Sequence, residues 1–219
     1  MRTKKDFDKW FRESKGDPWG YDSELVNIRF NKSIDFLTQH ISQNDVILEC
    51  GCFKGQFTKS LATNFSENKI IAFDISEYAI EHAKEKVDFK NVSFFDADIL
   101  KINNSWVGEH CADGENSCVV MMEVLYYLDY EDRKQCVKML SEEFPKSKIV
   151  ISTPIVGNKY FSEESLIELF SAYRLVSSEV VSLKRNFLFL NKVIMHLTKK
   201  IKFLHNFLVN QKIFVFYPL

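Results

Sequence analysis

Glu49, Gly51, Gly55 and Asp74 are the residues whose types and spacing open a defined chemistry to this chain. Glycines in a turn let the backbone approach a ligand closely, and a carboxylate at the tip of a strand can accept both hydroxyls of an unphosphorylated ribose. Together they describe a nucleoside site. A Gly-x-Gly-x-x-Gly turn would settle a pyrophosphate on a helix N-terminus, but this turn reads Gly51-Cys-Phe-Lys-Gly55. Glu49, just ahead of it, puts negative charge where a pyrophosphate is poorly tolerated and a cationic amino group is welcome.

Those side chains need a strand, a turn, a helix and a second strand to hold them. Val46, Ile47 and Leu48 form an apolar, β-prone run into the turn, and Gln56–Asn64 follows with helical spacing. A second apolar run, Lys69–Phe73, ends in Asp74 about 19 positions after Gly55, the interval at which a βαβ unit returns beside its first strand. Asp74 is thereby expected at a carboxyl end. Ser76 can cap a helix over Glu77–Val87, and Asn91–Phe95 reads as a third strand running into Asp96-Ala-Asp98-Ile99.

S-adenosylmethionine has a cationic amino group, a free ribose and no phosphate. The series Glu49-x-Gly51-x-x-x-Gly55 followed by Asp74 resembles the first two motifs of class I S-adenosylmethionine-dependent methyltransferases, whose usual form is Asp/Glu-x-Gly-x-Gly-x-Gly. Phe53 replaces the middle glycine, and a bulky residue there is expected to avoid positive φ. The resemblance implies S-adenosylmethionine as cofactor, bound by Glu49, Gly51, Gly55, Asp74 and the adjoining Ile75. It also implies that Asp98 meets the adenine amino group while the backbone of Ile99 meets the ring. A plain surface turn is the other reading of Asp96 and Asp98.

Further along, Val119–Met122 has the composition of a buried parallel strand, with Glu123 emerging at its carboxyl end, where open α/β sheets bind ligands. Glu123-Val-Leu-Tyr-Tyr-Leu128, with Asp17-Pro-Trp19 upstream, is similar to the nodulation N-methyltransferases, which methylate an amino sugar of a chito-oligosaccharide. The similarity covers about residues 17–130. It implies a saccharide amine or hydroxyl as acceptor, with Glu123 orienting it or taking its proton and Tyr127 beside the methyl group. Asp17, Trp19, Tyr21 and Tyr126 complete the expected acceptor side, although one of the two adjacent tyrosines is expected in the core, since neighbours on a helix point about 100° apart.

The remaining elements follow from periodicity. Asp6–Ser14 and the stripe Leu25, Ile28, Ile34, Leu37 predict two N-terminal helices, with Trp19 and Tyr21 either plugging the seam to the core or closing over the ligands. Ser105–Glu115 reads as a polar loop containing His110. Tyr130–Phe144 reads as a helix, Lys148–Ser152 as the fifth strand, Ser162–Tyr173 as a helix, and Leu175–Leu183 and Lys212–Tyr217 as the last strands. The expected fold class is α/β: a Rossmann-like, seven-stranded, mainly parallel sheet with helices on both faces. The resemblance makes the last strand antiparallel. Residues 1–219 form one methyltransferase domain in this reading, with 1–40 a helical lid and 184–211 a basic amphipathic insertion.

Composition sets the outer bounds. At 219 residues, 46% hydrophobic and 27% charged, the chain can bury one sizeable core, and a formal net charge of -1 argues against a protein devoted to nucleic acid. No run approaches the roughly 18 apolar residues of a membrane span, and the N-terminus lacks an apolar signal core, so a cytoplasmic protein is expected. Five cysteines without finger-like spacing indicate neither a disulfide framework nor a metal site; Cys50 and Cys52 read as small residues of a tight turn. Seven Lys or Arg and no Asp or Glu follow Ser182, so the stretch 184–211 suits an anionic membrane face or an acidic partner. A helix packed over the sheet with its lysines in water is the other reading of that stretch. Rival functions are methylation of a phospholipid or other amphiphile, and a non-catalytic nucleoside-binding module in a glycan-assembly complex.

Overall fold

The computed structural model describes residues 3–13, 20, 21, 23–110, 117–155, 160–183 and 209–219. Five strands run parallel: β1 (Val46–Cys50), β2 (Ile70–Asp74), β3 (Val92–Asp96), β4 (Ser117–Met122) and β5 (Lys148–Pro154). β6 (Tyr173–Leu183) and β7 (Val209–Pro218) complete a seven-stranded sheet of order β3-β2-β1-β4-β5-β7-β6, with β7 antiparallel to both neighbours. β1 leaves for β2 on one side and has β4 on the other. Their carboxyl ends diverge there, and the crevice that opens is where sheets of this kind take a ligand.

β1, β2 and β4 are buried along their whole length, as their unbroken apolar runs require. Their side chains feed two cores. Leu48, Phe73, Met121 and Phe214 pack with α5 (Asn104–His110), α6 (Tyr130–Glu143) and α7 (Glu163–Leu169) on one face. Ile47, Ala72, Val120 and Val215 pack with α2 (Glu24–Leu37), α3 (Gln56–Asn64) and α4 (Glu77–Lys86) on the other. Alternation along β7 sends neighbouring residues to opposite cores.

A third, smaller cluster seats α1 (Lys4–Glu13) over the carboxyl edge of the sheet. Phe7 and Phe11 of this helix are buried with Phe53 and Ala79. Polar contacts fix its direction: Lys4 pairs with Asp96 at the end of β3, and Asp8 accepts from the Ser76 hydroxyl and, at 3.4 Å, from the Tyr78 amide. Arg12 lies over the Tyr78 ring at 4.5 Å.

Several elements differ from expectation. Residues 104–110 form α5 rather than a loop, and His110 stands edge-on to Phe95 with ring centroids 4.0 Å apart. Two rings from neighbouring strands, Phe73 and Phe95, pack on Trp106 and give that polar segment an apolar side to fold on. α7 stops at Leu169, because Tyr173 opens β6 against Pro218 instead of extending the helix. Ser23 holds an N-cap conformation without a side-chain cap bond, whereas Ser76 caps α4 by accepting from Ala79. Most of the basic stretch 184–211, and Asp17 and Trp19, lie outside the described residues; 209–211 belong to β7. No described helix is long and apolar enough to cross a membrane.

Candidate active site

The turn after β1 is built by backbone contacts that leave no room for a side chain at Gly51. The amides of Gly51 and Cys52 both donate to the Phe73 carbonyl, at 2.7 and 3.1 Å. Gly51 has φ +72°, and a Cβ on it would lie 2.5 Å from Val124 Cγ2. Gly55 serves packing: at φ +79° it begins α3, and a Cβ there would meet Val87 at 2.8 Å.

Phe53 corrects the expectation drawn from its bulk. It takes φ +49°, the left-handed conformation that the missing glycine would supply. That conformation costs an L residue roughly 1–2 kcal/mol. Two contacts oppose the cost. The Phe53 amide donates to Asp74 Oδ2 at 3.0 Å, and its ring is buried against Phe11 (4.8 Å between centroids) and Tyr21 (5.7 Å).

Asp74 is thus held from both sides, its Oδ1 accepting from the Ser76 amide at 2.9 Å. Burial nevertheless raises its pKa to about 6, and the two amide bonds pull the other way. Each oxygen keeps a lone pair for a ribose hydroxyl. Glu49 is buried more completely and pushed up to about 8 by that burial, against the opposing effect of the Thr58 hydroxyl, and its Oε2 makes no hydrogen bond of normal geometry among the described residues. Gln56, Tyr21 and Glu123 line the same small cavity as Glu49.

One cleft connects most of the expected site. Gly51, Asp74, Ile75, Asp98, Ile99, Glu123, Tyr21 and Tyr127 all line it, together with Phe7, Phe11 and Phe53. Asp98 turns one oxygen to the Leu100 amide at 3.0 Å. Among the described residues the lining carries three carboxylates and no Lys, Arg or His, which is a poor home for phosphate and a good one for a cation. Tyr127 faces Phe7 edge-on at 5.6 Å. Tyr126 does not line the cleft; its hydroxyl donates to Glu123 Oε2 at 3.3 Å.

Glu123 sits at φ +66° directly after β4, with its amide on the Ser152 carbonyl at 2.9 Å. Arg133 braces the short 3₁₀ turn that follows, Leu125–Tyr127, by donating to the Leu125 carbonyl at 3.1 Å. Burial raises the Glu123 carboxyl to about 7, opposed by Arg29 and by the groups bonded to it. Those groups include Gln211 of β7 and Ser152 of β5. Sequence reasoning missed Gln211, Arg29, Ser152 and Gln56. For the first there was a weak signal, an uncharged amide beside an apolar strand. Cys50 and Cys52 are buried, and burial drives both thiols well above their ordinary pKa.

The residues present fit S-adenosylmethionine: an unsatisfied buried carboxylate oxygen for its amino group, a doubly braced aspartate for its ribose, and Asp98 beside Ile99 for its adenine. A family model described as Methyltransferase domain matches residues 47–142. The matched stretch holds Glu49, Gly51, Gly55, Asp74, Asp98, Glu123 and Tyr127, and both it and the fold are similar to S-adenosylmethionine-dependent methyltransferases.

Other proteins resemble the chain in sequence over a part of it or in fold. Ribosomal RNA small subunit methyltransferase A of Mycoplasma mycoides is 34% identical over 73 residues, 33% of this chain and 26% of that protein. The chain thus matches about a quarter of that curated relative's length. A S-adenosylmethionine-dependent methyltransferase from Anabaena variabilis superposes with a TM-score of 0.71 at 11% identity, over 100% of this chain and 96% of that one. Magnesium protoporphyrin IX methyltransferase from Synechocystis, solved with the cofactor bound, gives 0.63 at 12% identity, over 97% and 91%. At such identities the likeness concerns the fold alone.

Proposed function

We propose that the protein is a S-adenosylmethionine-dependent methyltransferase that acts on an amine or hydroxyl of a small polar acceptor, a saccharide above all. The observation that carries this is the single cleft running from Asp98 and Asp74 past Gly51 to Glu123 and Tyr127. Glu49, Gly51, Gly55, Asp74, Ile75, Asp98 and Ile99 are its cofactor residues. When bound, the cofactor supplies an electrophilic methyl carbon on a sulfonium. Glu123 receives the acceptor's polar group, Tyr127 and Tyr21 wall it in, and Tyr126 steadies the carboxylate. Holding a nucleophile near the methyl carbon in line accounts for much of the rate in such a transfer.

The acid-lined, aromatic cleft supports an uncharged or cationic acceptor over a phosphorylated one. The motif Glu123–Leu128, similar to that of the nodulation N-methyltransferases, supports an amino sugar. Calorimetry with S-adenosylmethionine, S-adenosylhomocysteine and NAD tests the first half of this reading, and an acceptor screen led by amino sugars tests the second. Micromolar binding of the first two and not the third is expected. Binding without turnover on any acceptor would instead favour the non-catalytic module.

A further inference from the structure

The Glu123 carboxylate sits at the end of a chain of donors that all point one way. Arg29, on α2, donates from Nη1 to Gln211 Oε1 at 3.1 Å. A guanidinium can only donate, so this contact fixes the amide: its oxygen faces Arg29 and its nitrogen faces inward. Gln211 Nε2 then donates to Glu123 Oε1 and to Ser152 Oγ, the latter at 3.0 Å. With its lone pairs engaged from that side, the Ser152 hydroxyl turns its own hydrogen to Glu123 Oε1, 3.4 Å away. Tyr126 donates to Oε2.

Among the described residues every side-chain partner of Glu123 is therefore a donor, and both acceptor positions of Oε1 are filled. Among the described residues Oε2 has one position filled, by Tyr126, and the other open. Glu123 lines the cleft while Tyr126, Gln211, Arg29 and Ser152 do not, so the cleft is the side from which a further group can reach the carboxylate. A carboxylate so wired can accept a proton and has little use for donating one.

Building on the methyltransferase reading above, we propose that Gln211 and Arg29 are positioning residues that hold Glu123 as a proton acceptor, and that the acceptor therefore carries a hydrogen on the atom that is methylated. Primary and secondary amines and hydroxyls qualify; tertiary amines, thioethers and carboxylates do not. The hydrogen leaves the attacked atom as that atom's electron pair closes on the methyl carbon, and it passes to Oε2. The S–C pair stays with sulfur. Negative carboxylate and positive sulfonium are thereby both neutralised, and the new carboxyl proton is returned to solvent.

Other charges around Glu123 set the background. Tyr21 and Tyr127 share its cleft and Glu49 its small cavity, Asp74 stands further along, and Arg29 is the cation that favours its ionised form. Burial holds the carboxyl near 7 even so, where it can exchange a proton at ordinary pH.

Carbon-13 NMR of glutamate carboxyls in the full chain, with the Glu123 signal assigned by its loss in Glu123→Gln, reads this relay without any acceptor. Gln211→Leu and Arg29→Met are each expected to raise the Glu123 titration midpoint, weakening the acid at least about tenfold, while Arg29→Lys restores most of it. A purely structural Gln211 would lower thermal stability and leave the midpoint alone. Arg29→Met, on the half-exposed face of α2, keeps the test open if Gln211→Leu does not fold. A midpoint indifferent to both substitutions overturns the proposal. So does efficient methylation of a tertiary amine in an acceptor comparison. Calorimetry of S-adenosylmethionine on wild type and variants is run alongside. Loss of binding by wild type would defeat the methyltransferase reading, whereas normal binding with an unmoved midpoint defeats the relay alone.

Discussion

The Phe53 amide donates to Asp74 Oδ2 at 3.0 Å from a left-handed backbone conformation, φ +49°. A phenylalanine thus does the backbone work of a glycine and adds a ring that seats α1. Phe53→Gly should relieve roughly 1–2 kcal/mol of strain but lose the buried ring, where large-to-small changes cost about 3–5 kcal/mol. The variant is expected to be less stable by about 2 kcal/mol in denaturant titration and to retain cofactor affinity within a few-fold. A gain in stability would mean that α1 does not depend on this ring.

Asp74→Asn keeps the shape and replaces one acceptor oxygen by a donor facing the Phe53 or Ser76 amide. Charged hydrogen bonds of this kind are worth about 1.5–3 kcal/mol. Calorimetry should show S-adenosylhomocysteine binding weakened by that amount, which is roughly 10- to 150-fold. Unchanged affinity would place the ribose elsewhere.

Gly51→Ala brings a methyl to 2.5 Å from Val124 Cγ2, beside Glu123. Loss of activity and of about 2 kcal/mol or more of stability is expected, from overpacking plus positive-φ strain. Adding Val124→Ala should recover the steric part only. A double-mutant cycle checks this: additive effects would show that the clash is absorbed elsewhere.

Two buried acids, Glu49 and Asp74, and the half-buried Glu123 give the cofactor-free protein a stability that depends on pH. Glu49 rises from 4.5 to about 8, Glu123 from 4.5 to about 7 and Asp74 from 3.8 to about 6 on folding. Each is raised, so between those limits the folded chain binds more protons than the unfolded one, and stability falls as pH rises. Scanning calorimetry should record a lower Tm at pH 8 than at pH 5. Glu49→Gln should lessen that decline and raise the Tm at pH 8. An equally steep decline in the variant would assign the effect to other groups.

Much of this site is legible in local sequence. The run Val46–Leu48, the glycines at 51 and 55 and the acid at 74 specify strand, turn, helix and strand, because hydrophobic period and turn stereochemistry act over a few residues. Glu123 is equally visible as the residue where a buried apolar run meets water. Residues 104–110 mislead for the complementary reason: their polarity is local, but the rings of Phe73 and Phe95 that fold Trp106 and His110 into a helix come from other strands.

By itself the sequence determines an α/β sheet with a nucleoside turn, and acids placed at strand ends. Those are consequences of order along the chain. Only the tertiary structure decides that Phe53 takes a glycine's conformation, since the strain is borne by contacts with Asp74, Phe11 and Tyr21. Likewise only the fold brings Gln211 to Glu123, 88 positions away, and Arg29 to Gln211, 182 positions away. A hydrogen bond depends on separation in space, and nothing in local propensity records which distant donors a buried carboxylate will meet.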